Sequence, residues 1–392
     1  MGRLSKAFYA LLMGETLSEL AGAAGGLVNG LLLYEATGSR EWIGIMWIVY
    51  YVPSLILQGM SSPFLNGARK EIVLPSIQLL RSFLYLFPLL AVIFEGTFSL
   101  IASLIIMQIM LGLLQPIYAS LSFSILPDLC GEQHLVKANG LLDATIRVMS
   151  FIGPGLSAAL LFVLPSESIY ALSSLLFFIS SCTLWTLSSR KPGRPSIWKR
   201  FSWWQEMKKG YALFLSERML LHVTLLSSCV QFSVGMTIVL NIPFIMDVLS
   251  GVKWQYGIFS ASFPLGYAMG LILLNKVKKA RNSMYTGLIG GGLSFLLLSA
   301  VSSVPLSWIC EWAGGLLFPL FNAQSAAAFQ KYAPRDRLSQ LSSIRLFFMR
   351  ISTMAGILCA SASNAFIDVR QGYVLAGLFV ALPGIYYLYK NR

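Results

Sequence analysis

Glu15 and Glu19 lie inside an apolar run, residues 7–35, that also places glycine at 22, 26 and 30. At 100° per residue the two acids and the three glycines fall within an arc of about 80°, so they share one helix face. Glu19 sits about 18 Å into the run at 1.5 Å per residue. A carboxyl at that depth in lipid is costly unless it is protonated, paired or hydrated, and is a functional site by default. Glu19 is therefore expected to be the acid that couples to protons or binds a cationic group. Glu15 is expected to assist one turn nearer the inner surface, the alternative being that it hydrates at the interface. The small-residue spacing Gly22, Gly26, Gly30 predicts close helix approach on that face.

Other polar residues within apolar runs are weaker candidates. Glu311, in Ser307-Trp308-Ile309-Cys310-Glu311-Trp312, either faces a cavity from the second half of the chain or sits at the interface that its flanking tryptophans mark. Arg147 and Arg350 each precede a glycine by six residues, Gly153 and Gly356. They are placed to bind an anionic group or the acids of the first run, or to snorkel toward the inner surface. Gly153-Pro154-Gly155 is expected to interrupt its helix, since proline removes a backbone hydrogen bond, either as a static kink or as a moving interface between two bundles.

Soluble enzyme chemistry has no footing here. No phosphate-cradling glycine loop ending in Lys-Ser/Thr occurs, and no Ser/His/Asp arrangement has supporting context. The two histidines, His134 and His222, and the five dispersed cysteines give no metal-ligand or disulfide spacing. Neither a cofactor nor a metal is expected.

The elements that carry these residues follow from composition. Of 392 residues 56% are hydrophobic and 11% charged, against about 25% charged in an average soluble domain. Twelve apolar runs are long enough to span a bilayer, which needs about 20 residues: 7–35, 42–62, 72–93, 98–122, 139–164, 168–189, 218–247, 254–275, 284–301, 304–328, 342–364 and 371–389. The net charge of +13 is not a nucleic-acid patch. With both termini placed in the cytoplasm, most cations fall in inner loops and tails, and only Arg40, Lys253 and Arg370 in outer ones, which is the positive-inside bias.

The fold class predicted is an all-α integral membrane protein of two six-helix bundles, residues 1–189 and 218–392. Between them, residues 190–217 read as a cytoplasmic basic linker whose later part is an amphipathic helix on the inner leaflet. A duplication underlies the two halves. Leu65-Asn66-Gly67-Ala68-Arg69-Lys70 reappears as Leu274-Asn275-Lys276-Val277-Lys278-Lys279. Each copy is a short cationic turn between apolar runs, at the place where a transporter gates. Pro127 and Pro334 are expected to open matching cytoplasmic turns.

These residues resemble the major facilitator superfamily, and within it the macrolide-efflux and siderophore-exporter-like permeases. The likeness rests on Glu35-Ala-Thr-Gly-Ser39, Pro127-Asp-Leu, Leu135-Val-Lys-Ala-Asn-Gly-Leu-Leu142 and Gly153-Pro154-Gly155-Leu156. It implies two bundles rocking about a central cavity and a proton-driven, monomeric permease of the cell membrane that expels amphipathic small molecules such as drugs, peptide-derived metabolites or siderophores. The Gly-Pro of the fifth run resembles an antiporter signature. A similar Leu-Val-Lys-Ala-Asn-Gly stretch in a lysophospholipid-translocating relative keeps flipping and import open as alternatives, and a membrane sensor or scaffold as a remote one. The chain departs from the family pattern at three places. Asn66-Gly67 stands where an Asp precedes the Arg, Gln108 stands where proton-coupled relatives often carry Arg, and Gly22 stands at the usual first-helix Asp. On this resemblance Glu19 substitutes for that Asp.

Overall fold

Twelve of thirteen α-helices coincide with the twelve apolar runs. The computed structural model describes residues 4–37, 40–65, 68–93, 97–161, 163–187, 202–276, 281–362 and 367–390. The first six helices are α1 (Lys6–Thr37), α2 (Arg40–Met60), α3 (Lys70–Ile93), α4 (Thr97–Cys130), α5 (Leu135–Leu160) and α6 (Ser166–Trp185). A shorter helix, α7 (Trp203–Ser216), follows. The last six are α8 (Arg218–Pro243), α9 (Lys253–Lys276), α10 (Arg281–Ala300), α11 (Val304–Tyr332), α12 (Leu338–Ala362) and α13 (Val369–Lys390). Among the described residues nine are long and apolar enough to cross a membrane, and Ile45–Met60 is a shorter apolar helix. Helices are the natural solution here, because lipid offers no partner to an unpaired backbone group.

Helix neighbours repeat between the halves. In the first, α1 packs on α4 and α6, α3 on α4 and α6, and α2 on α4. In the second, α8 packs on α11 and α13, α10 on α11 and α13, and α9 on α11. Adding seven to each label converts one set into the other. Glycines repeat with them. A side chain at Gly112 of α4 would strike the Tyr50 backbone of α2, and one at Gly315 of α11 would strike the Phe263 backbone of α9. Gly153 of α5 lies against Leu20, Ala23 and Ala24 of α1, just as Gly356 of α12 lies against Phe232 and Met236 of α8. Backbones this close leave no room for a Cβ, so glycine at these crossings is a packing requirement.

The chain forms two compact units that do not follow a single cut. Unit 1 comprises 1–130, 149–212 and 334–344, and unit 2 comprises 131–148, 213–333 and 345–392. The first turns of α5 thus belong with the second-half helices, and the first turns of α12 with the first-half helices. In unit 2, Asn139 of α5 donates to Gln330 of α11 at 2.6 Å, and Gly140 faces Leu271, Leu274 and Ala323. In unit 1, Ser339 of α12 meets Ser124 of α4 at 2.9 Å, and Ser342 and Ser343 donate to the carbonyls of Ser120 and Gln58.

Three local expectations are corrected. The helix α5 continues through Gly153-Pro154-Gly155 to Leu160 rather than ending there, and glycine at 153 spares the proline ring a clash with a preceding Cβ. Pro127 lies inside α4, which continues to Cys130, rather than opening a turn. Gly26 and Gly30 face open space, whereas the close approaches on α1 fall at Gly14, against Leu184, and Gly25, against Tyr85. The acid-bearing face is therefore not the tightly packed one.

Candidate functional site

Unit 1 holds a polar cluster among apolar helices, built from α1, α3 and α4. Glu15 of α1 is 4% exposed and accepts a hydrogen bond from the Ser122 hydroxyl of α4. Arg81 of α3, 5% exposed, is the hub. Its Nη1 donates to Gln78 Oε1 at 3.3 Å and to Ser18 Oγ at 3.5 Å, and its Nη2 donates to Gln115 of α4. The guanidinium also lies 4.8 Å from the Tyr118 ring centre and 5.9 Å from that of Phe177 on α6. A planar cation with five donors can serve several acceptors and an aromatic face at once, which a lysine cannot.

Glu19 lies one turn beyond Glu15 on α1, half-buried. Among the described residues no hydrogen bond engages its carboxyl, although the charges of Arg81 and Glu15 both act on it. The cluster therefore combines one carboxyl that is held by a hydrogen bond, one that is not, and one cation whose charge acts on both.

The remaining sequence candidates are scattered. Arg147 of α5 pairs with Asp143 one turn earlier, Nε to Oδ1 at 3.3 Å, and stacks 4.5 Å from the Tyr267 ring centre of α9. The Tyr267 hydroxyl donates to Asp143 and accepts from Asn322 Nδ2 of α11 at 3.1 Å. Arg147 is thus committed to an acid of its own helix within unit 2. Glu311 is half-buried on α11 and acts electrostatically on Tyr373 of α13, whose hydroxyl donates to Asn241 at 2.7 Å. Gln108 is 4% exposed on α4, beside Met107 and Leu111 of the apolar core. Arg350 is half-buried on α12.

The cationic turns are only partly in view. Lys70 opens α3 and reaches the C-terminal end of α4, donating to the Ser124 carbonyl at 2.9 Å and Asp128 at 3.3 Å. Arg69 is exposed. Asn66, Lys278, Lys279 and the Asn275 side chain lie outside the described residues. Gly153 and Pro154 sit on α5, where Gly153 meets α1 of the same unit.

Sequence reasoning missed Arg81, Asp143, Tyr267 and Asn322 as members of these clusters. Two had readable signals: Arg81 is a lone cation in an apolar run with Gln78 three residues before it, and Asp143 stands four before Arg147. The partners on other helices had none.

The short helix α7 is tied to the first part of α12. The Glu206 carboxylate accepts from Lys209 at 2.8 Å and Arg337 at 3.4 Å, and its carbonyl accepts from the Gln340 amide at 2.9 Å. The Lys209 hydrogen bond, with the Lys209 and Arg337 charges, holds the Glu206 carboxyl below the usual carboxylate range against the opposing effect of burial. A carboxyl so lowered stabilises the docked helix fully above its ordinary pKa, and that stability is lost as pH falls through the lowered value. Glu206→Gln should therefore reduce thermal stability modestly at pH 7, by less than about 1 kcal/mol for a partly exposed pair. The gap from the parent should close as the pH is taken below 4. A gap of constant size across that range would show that the charge plays no part.

The family question is settled by a match over residues 11–276 to the family model described as Major Facilitator Superfamily. The chain belongs to the major facilitator superfamily. It is similar to an uncharacterized MFS-type transporter, YfmI, of Bacillus subtilis (strain 168), at 22% identity, with 98% of this chain and 96% of the relative covered. A second MFS-type transporter of that organism, YvqJ, is 20% identical, with 90% of this chain and 85% of the relative covered. Solved structures show the same fold. A bacterial homologue of the iron transporter ferroportin, in an outward-facing state, aligns with a TM-score of 0.77 at 15% identity, over 99% of this chain and 100% of that one. The human organic anion transporter MFSD10 aligns at 0.70 and 13% identity, over 97% and 98%. The transporter FucP, in its outward conformation, aligns at 0.69 and 13% identity, over 98% of each chain. This major facilitator chain is accordingly a multi-pass membrane protein and a secondary transporter of small molecules, not an enzyme.

Proposed function

We propose that this transporter exports an amphipathic small molecule in exchange for protons by alternating access, with Glu19 as the group that carries the proton or the cationic part of the cargo. The observation that carries the reading is the imbalance in unit 1. The Ser122 hydroxyl engages Glu15, whereas the Glu19 carboxyl is left without a hydrogen bond among the described residues, while the charge of Arg81 acts on both. A carboxyl held at membrane depth yet left chemically free is what an exchange of proton for cargo requires.

In this reading Arg81 is the fixed counter-charge of the two carboxyls, and Glu15 is the one held in place by Ser122. Arg147, Arg350, Gln108 and Glu311 are secondary candidates for cargo contact or proton transfer. The turns carrying Asn66, Arg69 and Lys70, and Asn275, Lys278 and Lys279, act as gates, with Gly153-Pro154 where α5 moves. The cation distribution supports a cell-membrane orientation with both termini inside, and a monomer is the working unit. The likeness to macrolide-efflux and siderophore-exporter-like permeases, with the Gly153-Pro154 pair, supports the export direction. The ferroportin likeness concerns the fold. Among the described residues no group of three or more His, Cys, Asp or Glu could hold a metal ion.

The test is mass spectrometry of culture medium and cell extract with and without the gene. Export requires a compound that falls in the medium and accumulates in cells on deletion. The opposite shift means uptake. A change confined to membrane lipids means flipping, and no shift at all removes the proposal.

A further inference from the structure

We infer that the outer stripe of α7 is a docking surface for anionic phospholipid headgroups of the inner leaflet. One face of this helix is occupied. The Trp203 indole donates to the Met60 carbonyl at the end of α2 at 3.0 Å, Tyr211 donates to the Gly59 carbonyl, and Gly210 leaves room for the Gln340 side chain. Glu206, the acid of this stretch, is turned to Arg337 on that occupied face.

The opposite face is not covered. Trp204 is 53% exposed, and Lys208 and Ala212 are exposed with it. At 100° per residue the three fall within an arc of about 80°, a continuous stripe. The Lys208 ammonium lies 5.2 Å from the Trp204 ring centre, so the cation and the amphipathic ring are presented together. Lys209, beside the stripe, is paired with Glu206 at 2.8 Å, so Lys208 is the cation that the stripe itself presents.

Charge complementarity selects the occupant. The exposed charged side chains of α7 are both lysines, and the sequence just before it, residues 190–200, holds Arg190, Lys191, Arg194, Lys199 and Arg200 with no acid. An indole beside ammonium groups at the end of a spanning bundle matches the headgroup level of a membrane, where the ring settles and the cations meet lipid phosphate. Leu215, 54% exposed, falls in the same arc and adds apolar area suited to the acyl boundary, and the ammonium of Lys208 beside the indole, with no exposed acid on α7, selects an anionic headgroup as the occupant. The surface lies apart from the Glu15–Arg81 cluster, so the inference does not depend on what the transporter carries.

The experiment uses the full chain in liposomes doped with brominated lipid, whose bromines quench nearby indoles, and takes the Trp204 signal as the difference between the parent and Trp204→Phe. Brominated phosphatidylglycerol should quench Trp204 more than brominated phosphatidylcholine at the same mole fraction. The preference should shrink at high salt, drop by up to about fivefold in Lys208→Gln, and persist in Lys208→Arg. Equal quenching by the two lipids, or a preference untouched by salt and by Lys208→Gln, would overturn the inference. Absence of quenching by either lipid would overturn it as well, because the stripe would then face water or protein.

Discussion

Replacing Glu19 by Gln is expected to abolish transport driven by an imposed pH gradient while leaving a folded protein of normal stability. The amide keeps the size and polarity of the side chain, and no described hydrogen bond is lost, because the Glu19 carboxyl makes none. What disappears is the ability to take up and give up a proton at mid-membrane. The measurement is flux of the identified cargo into proteoliposomes under a pH jump, alongside exchange of labelled for unlabelled cargo at uniform pH. Loss of the first with survival of the second assigns coupling to Glu19. Loss of both assigns it to cargo binding, and Glu19→Asp, which keeps the acid one methylene shorter, should then recover part of the flux. Retention of full pH-driven flux in Glu19→Gln would remove the proposed role. Glu15→Gln is the control with the smaller effect, since its carbonyl oxygen still accepts from Ser122.

This site was half legible in the sequence, for a physical reason. A helix face is a local property, so the arc shared by Glu15 and Glu19 follows from residue spacing alone. What balances a charge in lipid is not local. Arg81 reaches the cluster from α3 and draws Gln115 and Tyr118 from α4, and no spacing rule joins residues on three helices. The same division explains Arg147. Its partner Asp143 is one turn away and readable, whereas Tyr267 and Asn322 come from α9 and α11. Apolar length located twelve helices because a bilayer imposes it on each span separately. The glycines were harder: Gly22, Gly26 and Gly30 show ideal spacing, yet the tight crossings occur at Gly25 and at Gly153. Small-residue spacing permits close approach without requiring it, and the neighbouring helix decides which glycine is used.

The duplication shows most clearly what sequence and structure each contribute. The repeated cationic turns announce two related halves, but they do not show which glycines do equivalent work. The pairs Gly112–Tyr50 with Gly315–Phe263, and Gly153–α1 with Gly356–α8, do. These crossings join helices at matching positions within each unit, so each unit has a close packing of its own. The Glu15–Arg81 cluster is confined to one of them, since its members from α1, α3, α4 and α6 all belong to unit 1.

That confinement gives Arg81 the largest expected effect on stability. In Arg81→Met the apolar bulk is largely retained, but Ser18, Gln78 and Gln115 lose a shared donor, and Glu15 and Glu19 lose the cation whose charge acts on both. Each buried acceptor left without its donor typically costs about 1–3 kcal/mol. The variant should melt well below the parent in detergent and should not transport. Arg81→Lys should recover only part of the stability, because one ammonium cannot reach three acceptors on separate residues while lying against the Tyr118 ring. The decisive variant is the double substitution Arg81→Met with Glu15→Gln. Neutralising Glu15 removes a carboxyl on which the Arg81 charge acts, so melting should return part of the way to the parent, the unserved acceptors accounting for the rest. Transport should stay absent, because Glu19 still lacks the cation that acts on it. If the double variant melts no higher than Arg81→Met, the loss arises from packing rather than charge. If either variant transports at the parent rate, Arg81 is not the counter-charge of the working site.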